Sequence, residues 1–187
     1  MRIISGYFKG KKILRSKDIQ TRPLKDLTKE SIFNIILHSN KISLELKESN
    51  ILDLFSGTGS FGLETISRGA KNVIFVENYS GVLPILNKNI NNLKLNAKIK
   101  IIEKDIINNL DFNNFEISFD IIFLDPPYKE KNIELILEKI KNAKILKEKG
   151  IIIIHRHTNE KDMFLDKYNI IETRKYGISK IIFLNYV

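Results

Sequence analysis

After residue 50 the chain breaks into short apolar runs of strand length separated by stretches of helical length, and few sheet architectures accept that pattern. Residues 51–55 (Ile-Leu-Asp-Leu-Phe), 73–76 (Val-Ile-Phe-Val), 98–103, 120–124 and 151–154 (four isoleucines) read as strands. The segments leading to about residue 68, and over 82–93 and 133–143, read as helices, because their apolar residues recur at helical spacing. Paired helices would need longer apolar segments than these. Strands that are apolar on both faces and alternate with helices indicate a parallel sheet covered on both sides. Two further strands over 168–173 and 180–184, around Gly177, close the chain. The expected fold class is α/β, with a mostly parallel seven-stranded sheet flanked by helices.

Before this pattern comes a different one. Residues 2–5 and 12–15 are short apolar-centred runs separated by a loop holding Gly6 and Gly10, a small β-hairpin. Thr21-Arg22-Pro23 follows, and the proline forces its predecessor out of helical geometry. An amphipathic helix is expected over 25–38, on Leu27, Ile32, Phe33, Ile36 and Leu37. The chain is thus divided into a basic hairpin segment, 1–24, and a main domain, 25–187. Residues 1–30 carry nine Lys/Arg against three Asp/Glu, within a formal net charge of +9. A basic arm of this kind suits a polyanion, and phosphate contacts are expected from Arg2, Lys9, Lys11, Lys12, Arg15 and Arg22. The blander reading is a solvated arm in a lysine-rich chain.

The chain contains no cysteine, which removes disulfides and thiolate metal sites. No apolar run is long enough to span a bilayer, and the N-terminus lacks the features of a secretory signal. A cytoplasmic protein without membrane or metal partners is expected, acting as a monomer.

In an open parallel sheet, ligands bind beyond the carboxyl ends of the strands. Three clusters of chemically capable residues fall there. The first is Asp53-Leu-Phe-Ser-Gly57-Thr-Gly59-Ser-Phe-Gly62. Gly57 and Gly59 let the backbone turn sharply and approach a ligand, and Gly62 permits tight helix–strand packing. Glu77 ends the next strand, 18 residues after Gly59, where a carboxylate can accept both hydroxyls of a ribose. No basic residue in the loop suits a pyrophosphate, and Asp53 fits a cationic amino-acid tail better. The second cluster is Glu103-Lys104-Asp105, with Asp105 placed to accept an adenine amino group and Ile106 to pack on the ring. The third is Asp125-Pro126-Pro127-Tyr128. Twin prolines fix the backbone and leave carbonyls without a local N–H partner. Asp125 and the Pro126 carbonyl can then accept both hydrogens of an –NH2 group, while Tyr128 stacks on the base carrying it.

These clusters, in this order, resemble the Rossmann-like S-adenosylmethionine-dependent methyltransferases that act on exocyclic amino groups. More narrowly, the chain resembles the bacterial 16S rRNA (guanine-N2) methyltransferase family (RsmD-like). The likeness runs from Met1-Arg-Ile-Ile-Ser-Gly6 and Thr21-Arg22-Pro23 through Asp53-Leu54-Phe55-Ser-Gly-Thr-Gly59 and Glu64 to Asp125-Pro-Pro-Tyr128. It implies S-adenosylmethionine held by Asp53, Phe55, Gly57, Gly59, Glu77, Asp105 and Ile106, with Asp125, Pro126, Pro127 and Tyr128 at the reacting amine. It implies 16S rRNA as substrate, in the small ribosomal subunit or a late assembly intermediate. The chain departs from the family at Leu24, at Lys29 where arginine is usual, and at His155-Arg156-His157, where an acidic residue is expected. His155 and His157 read as rim or packing residues rather than bases.

The methyl donor is a sulfonium, so catalysis is expected from positioning and from electrostatics at the nitrogen, without metal or covalent intermediate. A base buried in a helix would have to be flipped or already unpaired. Rival readings are an amino-methyltransferase for adenine or cytosine in DNA or other RNA, a protein glutamine methyltransferase, and a non-catalytic RNA-binding assembly factor. The last would leave Asp53, Glu77 and Asp125 without a purpose.

Overall fold

The computed structural model describes residues 1–16, 24–93, 97–161 and 168–186. Arg22, with the Thr21-Arg22-Pro23 segment, lies outside them. The main element order is α1 (Asp26–His38), β1 (Asn50–Leu54), α2 (Ser60–Ser67), β2 (Asn72–Val76), α3 (Leu83–Asn91) and β3 (Lys98–Ile102). It continues with β4 (Phe119–Leu124), α4 (Ile133–Asn142), β5 (Leu146–His157), β6 (Tyr168–Tyr176) and β7 (Ser179–Tyr186). One sheet contains all seven strands in the order β3-β2-β1-β4-β5-β7-β6. Pairing is parallel from β3 through β5 and antiparallel on both sides of β7. This is the mostly parallel α/β sheet expected from the apolar runs. The order reverses between β1 and β4, where neighbouring crossovers leave on opposite faces and open a crevice at the carboxyl ends.

The central strands are buried on both faces, and two apolar cores result. One packs Leu52, Leu54, Ile122, Leu124 and Ile152 against Ile136, Leu137 and Ile140 of α4. The other packs Ile51, Phe123 and Ile153 with α1, α2 and the N-terminal segment. There Phe33, Phe61 and Phe123 form a stack with centroid spacings of 5.3 and 4.0 Å. Among the described residues no helix is long and apolar enough to cross a membrane.

The N-terminal segment does fold back on itself, with Arg2 bridged to Lys12 and the Ile3 N–H donating to the Lys11 carbonyl at 2.9 Å. It does not form the two four-residue strands expected, because distant side chains take its backbone groups. The N–H groups of Ile4 and Ser5 go to the buried Glu64 carboxylate at 2.7 and 2.9 Å. Leu14 exchanges two hydrogen bonds with the Asn89 amide of α3, at 2.8 and 3.1 Å. Gly6 lies so close to α2 that a Cβ there would stand 1.8 Å from the Ser67 carbonyl oxygen. Ile3, Phe8 and Ile13 are buried in the second core, so this segment is docked rather than appended.

Two further differences have simple causes. β5 begins at Leu146, not at 151, and crosses the exposed Lys147, Glu148 and Lys149. Polar side chains facing water carry no apolar signal, although the backbone still pairs Leu146 with Phe119 before a bulge. A short 3₁₀ turn, Phe112–Asn114, was not anticipated; Asp111 caps it by accepting the Asn113 N–H at 3.0 Å.

Candidate active site

The crevice at the switch between β1 and β4 is a cleft of about 490 Å³. It gathers Asp53, Phe55, Gly57, Glu77, Asp105, Ile106, and the whole Asp125–Tyr128 turn. Gly59 and Gly62 stand behind its wall. Among the described residues no lysine or arginine lines it, whereas five carboxylates do, Glu130 being the fifth. That field favours a cation and disfavours a phosphate.

β1 delivers Asp53 at its carboxyl end, almost wholly buried. Its Oδ2 accepts the Gly62 N–H at 3.0 Å, and its Oδ1 has no hydrogen-bond partner. Burial raises this carboxyl well above its usual range, and the nearby charges of Asp125 and Glu77 push the same way, against the Gly62 hydrogen bond. An unpartnered, buried carboxyl oxygen in a cleft wall is costly to leave unsatisfied.

Phe55 follows with φ 58°, a left-handed conformation uncommon for a bulky side chain. Gly57 at φ 53° and Gly59 at φ 82° complete the turn. Nothing lies within 4 Å of where a Gly57 Cβ would sit, so the requirement there comes from φ and from an open approach to the cleft. Gly62 meets the packing expectation: a Cβ would fall 2.3 Å from the Phe75 ring of β2.

β2 delivers Glu77. One oxygen accepts the Gly57 N–H at 2.7 Å, and the other accepts those of Asn78 and Tyr79 at 3.0 and 2.9 Å. The carboxylate is thus fixed in orientation by backbone donors before any ligand arrives. Beyond β3, Asp105 Oδ1 accepts the N–H groups of Ile107 and Asn108 at 2.9 and 2.8 Å, and Oδ2 receives the Asn78 amide at 3.3 Å. The Asn108 N–H is the main cause that holds this carboxyl below its usual range, with the Ile107 N–H adding to it. One oxygen is occupied by the local turn, and the other points to the side where Asn78 stands.

β4 delivers Asp125, half-buried, and the proline pair. The carbonyl of Pro127 accepts the Glu130 N–H at 2.9 Å, so the expectation that both proline carbonyls lack local donors fails there. Lys129 and Glu130 close a turn that brings this N–H back. The Tyr128 hydroxyl lies 3.1 Å from Ser179 Oγ of β7, and its ring meets that of His157 edge-on at 5.0 Å. His155 is expected from the sequence at the rim or in packing. It is buried, and its Nδ1 stands 2.7 Å from Asp125 Oδ1. Leu124 pairs with Ile154 in parallel register, so the next residues on each strand, Asp125 and His155, are neighbours. The sequence carried a signal for this, namely a histidine one position past an apolar strand.

Arg2, Lys9, Lys11, Lys12 and Arg15 are all exposed on the docked N-terminal segment. Asn89 ties that segment to the glycine loop, donating to the Thr58 carbonyl at 2.9 Å as well as to Leu14. Ser16 and Leu24 reach the cleft itself. Among the described residues no group of three or more His, Cys, Asp or Glu is arranged to hold a metal ion.

A sheet of this order with a glycine turn after β1, an acidic residue ending β2 and an Asp-Pro-Pro-Tyr turn after β4 defines the Rossmann-like methyltransferase class. The chain belongs to the family described as conserved hypothetical protein 95, whose model matches residues 1–185. It is 33% identical over 184 residues to a candidate rRNA methyltransferase of Bacillus subtilis (strain 168), YlbH, covering 97% of this chain and 96% of that one. It is 28% identical over 179 residues to ribosomal RNA small subunit methyltransferase D of Haemophilus influenzae, covering 95% and 90% of the two chains. The fold matches that of a candidate methyltransferase of Escherichia coli, yhhF, with a TM-score of 0.82 at 22% identity, covering 100% and 97%. The family resemblance read from the sequence is borne out.

Proposed function

We propose that this chain transfers a methyl group from S-adenosylmethionine to the exocyclic 2-amino group of a guanine in 16S rRNA, within the small ribosomal subunit or a late assembly intermediate. The observation that carries the reading is the shared cleft: Asp53 and Glu77 line the same cavity as the Asp125–Tyr128 turn. The rRNA assignment draws on the names of the relatives, and the guanine amine on the Asp-Pro-Pro-Tyr resemblance.

The residues fit the cofactor. The unpartnered Asp53 Oδ1 suits the ammonium of its amino-acid tail, the pre-oriented Glu77 suits its ribose hydroxyls, and Asp105 with the buried Ile106 suits its adenine. Phe55 and Gly57 form the wall between them, and Gly59 completes the turn behind it. Bound there, S-adenosylmethionine supplies an electrophilic methyl carbon on a sulfonium.

The chain's own work is at the amine. An aromatic amine is a poor nucleophile because its lone pair is delocalised into the ring. Asp125 and the Pro126 carbonyl accept its two hydrogens, which favours the pyramidal form and aims the lone pair. The Asp125 carboxylate also stabilises the positive charge that builds on nitrogen during transfer, and the methylated nitrogen then loses a proton to water, so no strong general base is needed. Pro127 fixes the turn, and Tyr128 offers its ring to the base. Arg2, Lys9, Lys11, Lys12, Arg15 and Arg22 hold surrounding phosphates, sequence selectivity coming from RNA shape.

The test is incubation with labelled S-adenosylmethionine and unmodified small subunits, followed by nucleoside mass spectrometry. Label on N2-methylguanosine is expected. Label on adenine, or on protein alone, overturns the substrate assignment.

A further inference from the structure

We propose that His155 is a positioning residue for the transfer reaction, locking the Asp125 carboxylate so that one oxygen is always presented to the substrate amine. The inference rests on the reading of the Asp125 turn given above and adds to it a residue outside the Asp-Pro-Pro-Tyr motif.

His155 stands at the carboxyl end of β5, beside Asp125 in register, and its side chain is 6% exposed. Its Nδ1 lies 2.7 Å from Asp125 Oδ1. The amine-binding role of Asp125 needs its carboxylate as an acceptor, and in that arrangement Nδ1 donates the proton of this bond. The buried Nε2 has no hydrogen-bond partner, which is consistent with a ring held for the sake of its other nitrogen. Asp125 itself sits on a turn at the cleft mouth, with its side chain 21% exposed, and no hydrogen bond of the described residues holds Oδ2. Without His155 the carboxylate could rotate toward water. With it, Oδ1 is occupied and Oδ2 is left for the amine.

His157 and Ser179 act on the other end of the same turn through Tyr128. The corner that meets the base is braced from two strands that carry no part of the cofactor site.

The experiment compares His155→Asn, His155→Gln and His155→Leu under single turnover on unmodified small subunits, with S-adenosylhomocysteine affinity measured by calorimetry. The asparagine amide places an N–H near the position of Nδ1, whereas the longer glutamine places it near Nε2. The expected result is a methyl-transfer rate lowered about 10- to 100-fold in the glutamine and leucine variants. The asparagine variant should stay within about threefold of the parent. Cofactor affinity should be unchanged in all three, which separates positioning from loss of fold. An asparagine variant as slow as the leucine variant overturns the inference, and so do three variants at parental rate. Asp125→Ala is measured alongside. If it too is fully active, the Asp125 reading has failed; if it is inactive while the asparagine variant is not spared, only the role of His155 has failed.

Discussion

The Glu77 carboxylate, at the end of β2, accepts the Gly57 N–H, in the turn after β1, at 2.7 Å. Two strands adjacent in the sheet are thereby joined at their carboxyl ends by a charge-assisted hydrogen bond, with Asn78 and Tyr79 sharing the other oxygen. The glycine loop and the acidic residue are one preorganised unit, which suits the ribose-binding role proposed for Glu77.

Glu77→Ala should therefore cost more than its own interaction with the ligand, because the Gly57 loop loses its anchor as well. Losing hydrogen bonds to a charged group corresponds to about 1.5–3 kcal/mol, or roughly 10- to 150-fold in cofactor affinity. Calorimetric titration with S-adenosylhomocysteine measures it. An unchanged affinity would remove Glu77 from the cofactor site.

Asp53 should trade stability for binding. Burial holds its carboxyl well above the ordinary value of 3.8, so the folded chain binds this proton more tightly than the unfolded chain. The stabilisation from this group is fully present below pH 3.8 and is lost as pH rises through the raised folded value. Asp53→Asn removes the titration. At neutral pH the ligand-free variant should melt higher than the parent, by about 2–4 °C for each kcal/mol recovered, and the gap should close on acidification. The same substitution should weaken cofactor binding, since the ammonium loses its counter-charge. Melting curves over a pH series decide it; a variant that melts lower at neutral pH contradicts the account.

What was legible in the sequence follows from range. Residues 51–55 and 120–124 declared themselves as strands because both faces are apolar, and two carboxylates stood out against them, Asp53 inside the first run and Asp125 directly after the second. The Glu64, Lys29 and Asn89 clasps did not, because their partners at residues 2–14 lie 27 to 75 positions away, and a buried polar residue looks like a surface one in sequence. His155 was seen, but its partner depends on β4 and β5 being neighbours in a particular register. The polar start of β5 and the exposed edge strand β6 were shortened in prediction for the same reason: backbone pairing leaves no mark on side chains that face water.

Glu64 is the hub of the N-terminal clasp. Fully buried, it binds the N–H groups of Ile4 and Ser5, the Arg68 guanidinium at 2.9 Å and the Lys29 ammonium at 3.3 Å. Burial lowers the Lys29 ammonium from its ordinary value, and Glu64 opposes that shift. Glu64→Ala leaves a buried ammonium without its counter-ion, a change that costs about 3–5 kcal/mol. Denaturant melts should show that loss, and hydrogen exchange should show the Ile4 and Ser5 amides exposed before the sheet. Retained protection of those two amides would mean that the clasp is held by the apolar packing of Ile3 and Phe8 instead.

The exposed cations on the same segment should affect RNA and not cofactor. Lys9, Lys11 and Lys12 sit at the tip and second arm of the docked hairpin and are not among the residues lining the acidic cleft, and Asn89 fixes the segment to the glycine loop. A polyanion bound there would release counter-ions in proportion to the phosphates neutralised, giving a steep dependence on salt. Replacing the three lysines by alanine should flatten the slope of log KM against log salt by about one for each phosphate no longer neutralised. It should raise KM for the small subunit while leaving S-adenosylhomocysteine affinity at the parental value. A general electrostatic effect of removing three positive charges would instead raise the affinity for S-adenosylmethionine, whose sulfonium carries the charge that S-adenosylhomocysteine lacks. A parental salt slope in the triple variant would place the RNA on another face of the molecule.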